Sequence, residues 1–335
     1  MAAALAIPRS DPAGATPAAA PADALLRVEN LSLTRGEKLI LDDVSFALKR
    51  GATLALVGES GAGKSTIALA LIGLLARPQV GLDGRMLFDG ADLATSSERD
   101  WLRLRGRRIS MIFQDASSAL NPCFTVGAQL MTPLRRLLGL SKAQARKRAV
   151  ELLEGVGLSD AESRLDAYPH QLSGGMQQRV MIAIALSTNP ELLLADEPTS
   201  ALDVTIQAQI VRLILDETRK RGASCIFVLH DLALASQACD EIVVLYGGQV
   251  MEAGPAETVL REPLHPYTVG LKACVLEIDT EELEPLPSGS PSFASKRPGC
   301  RFAPRCASAL EKCAGEKPPL IETRGRRLAC WNPVA

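Results

Sequence analysis

The sequence has few aromatic residues and no excess of charge of either sign. Phe, Trp and Tyr together make up 4% of the chain, which argues against a surface that stacks on exposed nucleobases. The 37 basic residues are balanced by 38 acidic ones, so the chain lacks the basic character of a general nucleic-acid-binding protein. We therefore expect no nucleic acid partner.

Long apolar runs are also missing. Hydrophobic residues make up 47% of the chain, yet the longest apolar run, Ile67–Ala76, ends at Arg77. A membrane-spanning helix needs about 20 such residues. Residues 1–24 are rich in Ala and Pro and lack the basic start and apolar core of a signal peptide. We expect a disordered tail over 1–24 and a cytosolic protein.

The 335 residues are enough for about two domains. Short β-branched runs alternate with helical patterns, which predicts an α/β fold with a parallel sheet. Leu26–Thr34 and Val44–Leu48 alternate between apolar and polar residues, as in an antiparallel edge. Further predicted strands are Thr53–Val57, Ile109–Phe113, Glu191–Ala195, Ser224–Leu229 and Glu241–Tyr246; predicted helices include Lys64–Ala76 and Lys142–Gly155.

Two changes of pattern divide the chain. From about residue 115 to 190 the sequence becomes helical, which indicates a helical subdomain inserted into the sheet pattern. After an acidic stretch, a Pro/Ser/Gly linker at 285–298 leads to a small basic tail that contains cysteines. We expect a main domain over 25–270 and a C-terminal extension over 271–335.

A glycine-rich loop follows the predicted strand Thr53–Val57 and opens a helix. It fits the pattern G-x-x-x-x-G-K-S/T, in which backbone N–H groups and the helix N-terminus hold phosphates. Lys64 is expected to reach the β- and γ-phosphates, and Ser65 to bind Mg²⁺. The predicted nucleotide-binding residues are Gly58, Glu59, Ser60, Gly61, Ala62, Gly63, Lys64, Ser65 and Thr66.

An apolar strand that ends in Asp196 and Glu197 supplies the second half of this site. Alone, the two residues are typical of solvated acids at the tip of a strand. Beside a phosphate loop, Asp196 is expected to bind Mg²⁺ and Glu197 to polarise an attacking water.

A third motif, Leu172–Gln177, places a serine and two glycines at the start of a helix, which makes another anion-binding site. Together the three motifs resemble the ATP-binding-cassette (ABC) ATPases. The resemblance implies a P-loop NTPase fold, ATP and Mg²⁺ as cofactors, and two domains packed head to tail. Ser173, Gly174 and Gly175 of one chain would then face the phosphate loop of the other.

The remaining family motifs match individual residues. By this resemblance Gln114 contacts Mg²⁺ and the attacking water, Asp203 lies in the loop that crosses the dimer interface, and His230 contacts the γ-phosphate.

One position departs from the family pattern. Arg35 stands where an aromatic residue usually stacks on adenine, so the arginine either stacks on the base or is simply solvated.

The residues of the C-terminal extension indicate which branch of the ABC ATPase family the chain resembles. His265–Thr268 and the cysteine-containing tail resemble the oligopeptide, dipeptide and nickel importer ATPases, specifically the first of their two ATPase subunit types. The resemblance implies a peripheral protein on the cytoplasmic face of the inner membrane. Its expected partners are a second ABC ATPase subunit, two membrane permease subunits and an extracytoplasmic substrate-binding protein.

Four cysteines lie near the end of the chain with the spacing C-x5-C-x6-C-x16-C: Cys300, Cys306, Cys313 and Cys330. This spacing differs from the paired C-x2-C of zinc ribbons. A 4Fe–4S cluster, a zinc ion and unligated thiols are three alternatives for these residues.

We expect an ATPase that powers a peptide importer. An importer of nickel or another small solute is an alternative within the same importer family. A soluble ABC ATPase of DNA repair or translation is the alternative from another functional class. The sequence lacks the second cassette or the heptad insert that is usual in the latter. An inactive regulatory subunit would lack one of Lys64, Glu197 and His230, and all three are present.

Overall fold

The structure is a computed structural model, and it describes residues 23–75, 80–199, 204–274, 289 and 298–334. The predicted tail up to residue 22, Asp203 and almost all of the linker lie outside the described residues. No described helix is both long enough and apolar enough to cross a membrane.

The strands are β1 Ala24–Arg35, β2 Lys38–Lys49, β3 Thr53–Val57, β4 Val80–Phe88, β5 Ala91–Asp92, β6 Ile109–Ile112, β7 Leu192–Asp196, β8 Ser224–Leu229, β9 Glu241–Tyr246, β10 Gln249–Pro255, β11 Ile321–Thr323 and β12 Arg326–Leu328. The α-helices are α1 Lys64–Leu71, α2 Glu98–Leu104, α3 Ala116–Ala119, α4 Val126–Leu138, α5 Lys142–Gly155, α6 Ala161–Arg164, α7 Gly174–Leu186, α8 Val204–Arg221, α9 Leu232–Ala238, α10 Ala256–Arg261, α11 Pro266–Ala273 and α12 Lys312–Gly315.

In the described part of the chain these strands form two sheets. The smaller sheet is antiparallel with the order β2-β1-β4-β5. It contains the predicted antiparallel edge and also β4, a strand that was not predicted. The larger sheet has the order β11-β12-β10-β9-β3-β8-β7-β6, and its strands from β9 to β6 are parallel. The predicted α/β fold with a parallel sheet is confirmed.

The C-terminal extension is part of the larger sheet. Strand β12 pairs with β10, and β11 pairs with β12. A buried ion pair between Arg326 on β12 and Glu252 on β10, with atoms 3.0 Å apart, ties the added strands to the sheet. The segment described from the sequence as a small tail is therefore built onto the domain.

Helices α3 to α7 lie between β6 and β7, where the sequence changes to a helical pattern. Ser141 caps α5, and its hydroxyl accepts a hydrogen bond from the Gln144 N–H, as a serine before a helix predicts. Ala145 and Ala149 on the predicted apolar face are buried.

Helix α1 is shorter than the predicted helix Lys64–Ala76, because it ends at Leu71. Gly73 turns the chain with a φ of 68°, and the ring of Trp101 packs where a Cβ at this position would stand. A contact with a distant residue thus sets the end of this helix.

The central parallel strands of the large sheet are covered on both faces, which explains their continuous apolar character. In β3, Ala55 and Val57 belong to one core cluster while Leu54 and Leu56 belong to the other, because successive side chains of a strand point to opposite faces. The sheet thus forms a rigid frame for the loops at the carboxyl ends of its strands.

Candidate nucleotide-binding site

The phosphate loop connects β3 to α1, as predicted. A Cβ at Gly58 would clash with the carbonyl oxygen of Leu245, and a Cβ at Gly63 would lie 2.6 Å from Leu41 Cδ2. Both glycines have positive φ angles, which residues other than glycine rarely adopt. The loop therefore needs glycine at these two positions, and it leads into the N-terminus of α1, where free N–H groups favour an anion.

Lys64 is buried at the centre of this loop. Its ammonium donates hydrogen bonds to the carbonyl oxygens of Gly58 at 2.7 Å and Glu59 at 3.0 Å. Burial lowers the pKa of Lys64 to about 8, against the opposing effect of nearby carboxylates, of which that of Glu197 is the strongest. The loop thus contains the Lys64 ammonium, a positively charged group of the kind that binds phosphate.

Ser65 and Asp196 meet beside the loop. The Ser65 hydroxyl donates to Asp196 Oδ1 at 2.8 Å. Burial is the main cause that raises the pKa of Asp196, and the hydrogen bond from Ser65 opposes it. A hydroxyl and a carboxylate are oxygen donors of the kind that Mg²⁺ prefers, so the donor set fits this ion.

Glu197 lies between the two other predicted catalytic residues. Its Oε2 accepts a hydrogen bond from Gln114 Nε2 at 2.7 Å, and its Oε1 lies 2.5 Å from His230 Nε2. His230 Nδ1 lies 3.3 Å from the ammonium of Lys64, which is a donor, while His230 Nε2 faces the Glu197 carboxylate, which is an acceptor. These two partners fit a His230 ring that carries its proton on Nε2. The fold therefore brings Gln114, Glu197, His230 and Lys64 into one cluster.

Glu197 has a φ of 44°, in the left-handed region. Backbone strain of this kind persists only where the surroundings hold it, and it clusters at functional sites. Here the Glu197 N–H donates to the carbonyl of Val228 on the neighbouring strand at 3.1 Å. The carboxylate is thus aimed across the sheet edge rather than along the strand.

The Ser173 loop lies at the N-terminus of α7. The Ser173 hydroxyl accepts from the Met176 N–H at 3.4 Å, and both Ser173 and Gly174 are exposed, while Gly175 is partly exposed. Among the described residues no hydrogen bond connects this loop with the phosphate loop. Arg35, the predicted candidate for adenine stacking, is exposed at the last position of β1.

Sequence reasoning missed one partner of the phosphate loop. Arg305, which the sequence analysis treated only as part of a basic tail, forms a bidentate ion pair with Glu59. No local signal could have revealed the contact, because 246 positions separate the two residues.

The four cysteines of the extension line one cavity of about 20 Å³, together with His265 and Phe302. Burial raises the pKa of Cys300 to about 11, and burial also raises the pKa of Cys306 and Cys330, which favours the protonated form of these three thiols. Within the described ranges no group of three or more His, Cys, Asp or Glu side chains is placed to hold a metal ion. The expected iron–sulfur site is therefore not supported by this arrangement.

A larger groove of about 670 Å³ lies between β6 and the inserted helices. Two aromatic side chains at this groove are unusually exposed: Phe113 at 39% and Phe124 at 55%. The rest of the lining is largely apolar and includes Leu120, Pro133, Met181 and Ile184. An exposed apolar surface of this kind marks an interaction site.

Two family models match the chain. The model of the ABC transporter matches residues 41–200, and the model of the oligopeptide/dipeptide transporter C-terminal region matches residues 251–313. The two matches include the phosphate loop, the Ser173 loop and the first three cysteines of the extension.

Curated relatives match nearly the whole chain. The dipeptide transport ATP-binding protein DppD of Escherichia coli is 44% identical over 318 residues, covering 93% of this chain and 97% of the relative. The oligopeptide transport ATP-binding protein AppD of Bacillus subtilis is 46% identical over 295 residues, covering 87% of this chain and 90% of the relative.

Solved structures show the same fold. The post-hydrolysis dimer of the ATP-binding cassette MJ0796, bound to ADP and Pi, has a TM-score of 0.60 and 29% identity over 69% of this chain and 98% of that one. The protein cbiO1 of Clostridium perfringens, part of an ABC transporter complex, has a TM-score of 0.62 and 28% identity over 72% of this chain and 92% of that one. The chain therefore belongs to the ABC transporter ATPase family, in the branch that carries the oligopeptide/dipeptide transporter C-terminal region.

Proposed function

We propose that this chain is the ATP-hydrolysing subunit of a peptide importer. The observation that carries the proposal is the convergence of Lys64, Asp196, Glu197 and His230 at one edge of the sheet, in a chain whose relatives are named as peptide transport ATP-binding proteins. In this proposal residues 25–270 form the ATPase domain, with a helical subdomain at about 115–190. Residues 271–335 form the extension, and the chain binds peripherally to the cytoplasmic face of the inner membrane.

The phosphate loop from Gly58 to Thr66 would hold the phosphates of ATP. Its backbone N–H groups and the N-terminus of α1 attract the anion, and Lys64 exchanges its bonds to loop carbonyls for bonds to phosphate oxygens. Ser65, Asp196 and Gln114 would hold Mg²⁺, which neutralises charge on the β- and γ-phosphates when bound.

Glu197 would orient and polarise the water that attacks the γ-phosphate. The carboxylate is a hydrogen-bond acceptor, and Gln114 and His230 hold it from two sides. Because His230 also lies beside Lys64 of the phosphate loop, it is suited to report whether a γ-phosphate is present. The site therefore contains the positioned groups that phosphoryl transfer to water needs.

The Ser173 loop and Asp203 would complete the ATP site of a second ABC ATPase subunit. An exposed serine and glycines at the N-terminus of α7 are available to an anion brought by another chain. We propose a head-to-tail pair, with a different ATPase subunit as the second chain.

The groove beside Phe113 and Phe124 would receive a segment of a membrane permease subunit. Its volume of about 670 Å³ and its largely apolar lining suit a short helix, and Phe113 of the lining directly precedes Gln114 in the ATP site. Two permease subunits and an extracytoplasmic substrate-binding protein would complete the importer. A nickel or other small-solute importer uses the same ATPase chemistry, and the other subunits select the cargo.

A soluble ABC ATPase of DNA repair or translation is the alternative from another class. Affinity purification distinguishes the two functions, because permease subunits co-purify with an importer ATPase whereas DNA or ribosomes co-purify with the alternative.

We propose secondly that Cys300, Cys306, Cys313 and Cys330 bind a 4Fe–4S cluster. Four thiolates are the donor set that such a cluster uses, and the four residues line one cavity, but in their present positions they are not arranged to hold a metal ion. Binding would require the side chains to turn towards one another and to lose their protons, and it would hold together a segment with little core of its own.

The Glu197→Gln variant tests the proposed chemistry. We expect the rate of ATP hydrolysis to fall at least about 100-fold, because an amide cannot accept a proton from water, while ATP binding persists through Lys64. Steady-state hydrolysis and nucleotide binding are the measurements. Glu257→Gln, an exposed acid on α10, is the control with wild-type turnover. Undiminished turnover in Glu197→Gln would exclude Glu197 as the catalytic acid–base residue.

The lowered pKa of Lys64 predicts a pH dependence. The charged ammonium is lost as the pH rises through about 8, so the affinity for ATP should fall on the alkaline side and level off below neutral pH. Equilibrium binding of a fluorescent ATP analogue over this range measures the effect. Lys64→Arg keeps its charge throughout, and its weaker binding should not change with pH. A flat wild-type profile would contradict the assignment.

The Phe124→Asp variant tests the docking groove. A carboxylate in an apolar contact should reduce co-purification of the detergent-solubilised permease subunits by at least about tenfold, while the subunit alone keeps its ATPase rate. Leu102→Asp is the matched control, since Leu102 is 66% exposed on α2 and does not line the groove. Equal capture of permease by both variants would rule out the groove as the docking site.

Metal analysis tests the cysteine proposal. Anaerobically purified protein should be brown and contain about four iron atoms per chain, and Cys306→Ser should lose most of the iron. Cys123→Ser, at an exposed thiol outside the extension, should keep it. Colourless protein with stoichiometric zinc would replace the cluster with zinc, and protein without metal would leave four unligated thiols.

A further inference from the structure

The C-terminal extension contacts the phosphate loop through one side chain. Arg305 Nη1 donates to Glu59 Oε2 at 2.7 Å, and Arg305 Nη2 donates to Glu59 Oε1 at 3.0 Å. The side chain of Arg305 is only 8% exposed. This two-bond geometry fixes the orientation of both groups as well as their distance.

We propose that Arg305 is a positioning residue of the ATP site, which neutralises the Glu59 carboxylate and holds the phosphate loop in the form that binds ATP. The inference rests on the proposed ATPase function, and it adds that ATP affinity depends on the docked extension. Arg305 acts on phosphate through the loop and does not itself contact the nucleotide in this proposal.

The backbone of the loop is held at the same residue. The Glu59 N–H donates to the hydroxyl oxygen of Tyr267 at 2.9 Å, so Glu59 is bound through its main chain and its side chain. Arg305 Nη1 also donates to the hydroxyl of Tyr246 at 3.0 Å, and the guanidinium lies over the Tyr246 ring at 5.4 Å. The start of the loop is therefore held by Tyr267 and by Arg305, and Tyr246 in turn holds Arg305.

The extension itself is firmly anchored beside this contact. Phe302 is buried and packs edge-on against Tyr246, with ring centroids 5.1 Å apart. The buried Arg301 donates to the carbonyl oxygens of Gly247 and Leu39, and its own N–H donates to the side chain of Gln249. Since Arg301 and Phe302 lie only a few positions before Arg305 in the chain, the Arg305 guanidinium has little freedom to move away from Glu59.

The charge of Glu59 explains why this pair matters for ATP. A carboxylate inside a phosphate-binding loop repels the triphosphate, and it also attracts the ammonium that the phosphates need. Glu59 is close enough to Lys64 to act against the lowering of the Lys64 pKa. By pairing with Glu59, Arg305 removes the repulsion and leaves Lys64 available for phosphate.

The test compares Arg305→Gln, Glu59→Gln and the double variant with wild-type protein. We expect Arg305→Gln to raise the KM and the dissociation constant for MgATP about tenfold, with kcat changed less than about twofold. The double variant should recover most of this loss, since it no longer carries the unpaired carboxylate. Lys312→Gln, which removes a cation stacked on Trp331 in the same extension, should leave the KM at its wild-type value.

A purely structural role for Arg305 gives a different pattern. In that case Arg305→Gln lowers the melting temperature without raising the KM, or the double variant recovers nothing, and either result overturns the proposal. If Arg305→Gln fails to fold, Arg305→Lys keeps the charge but not both bonds, and its KM should rise less than about threefold.

The proposed function and this inference fail separately. Wild-type protein that binds MgATP without hydrolysing it would contradict the ATPase function alone. The dissociation constants of the three variants would still decide the role of Arg305, because they do not depend on turnover.

Discussion

The parallel pairing of β3, β8, β7 and β6 is the constraint on which the ATP site depends. Val57 pairs with Leu229, Asp196 with Val228, and Ile112 with Ala195. The residues that follow these positions are the phosphate loop, His230, Glu197 and Gln114. Because neighbouring parallel strands end at the same edge, four segments that are distant in sequence deliver their polar groups to one place.

The site concentrates charges of both signs before any ligand binds. Lys64 is buried among Asp196, Glu197 and Glu59, and burial shifts the pKa of Lys64 downwards and that of Asp196 upwards. Each shift shows that the charged form is costly in this environment. In the proposed function a nucleotide with its magnesium ion would bring phosphate to Lys64 and a cation to Asp196, and it would relieve both costs together.

The C-terminal extension is an integral part of the ATPase structure. Strands β11 and β12 lengthen the main sheet, the Arg326–Glu252 pair is buried within it, and the Arg305–Glu59 pair connects it to the phosphate loop. Breaking a buried pair leaves one charge unpaired, which makes such contacts hard to lose without a compensating change. An ion pair therefore connects the C-terminal extension directly to the phosphate loop of the ATP site.

The α/β fold class, the phosphate loop, the acidic strand end and helix α5 were all predictable from the sequence, because strand, glycine turn and cap patterns are local. The sequence did not predict β4, whose Gly81, Asp83 and Gly84 obscure the strand pattern, nor the end of α1, where Trp101 packs over Gly73. The pairing of Arg305 with Glu59 and the shared cavity of the four cysteines became visible only in the folded chain. Those contacts join residues far apart in the chain, and their pairing depends on how the extension folds back onto the sheet.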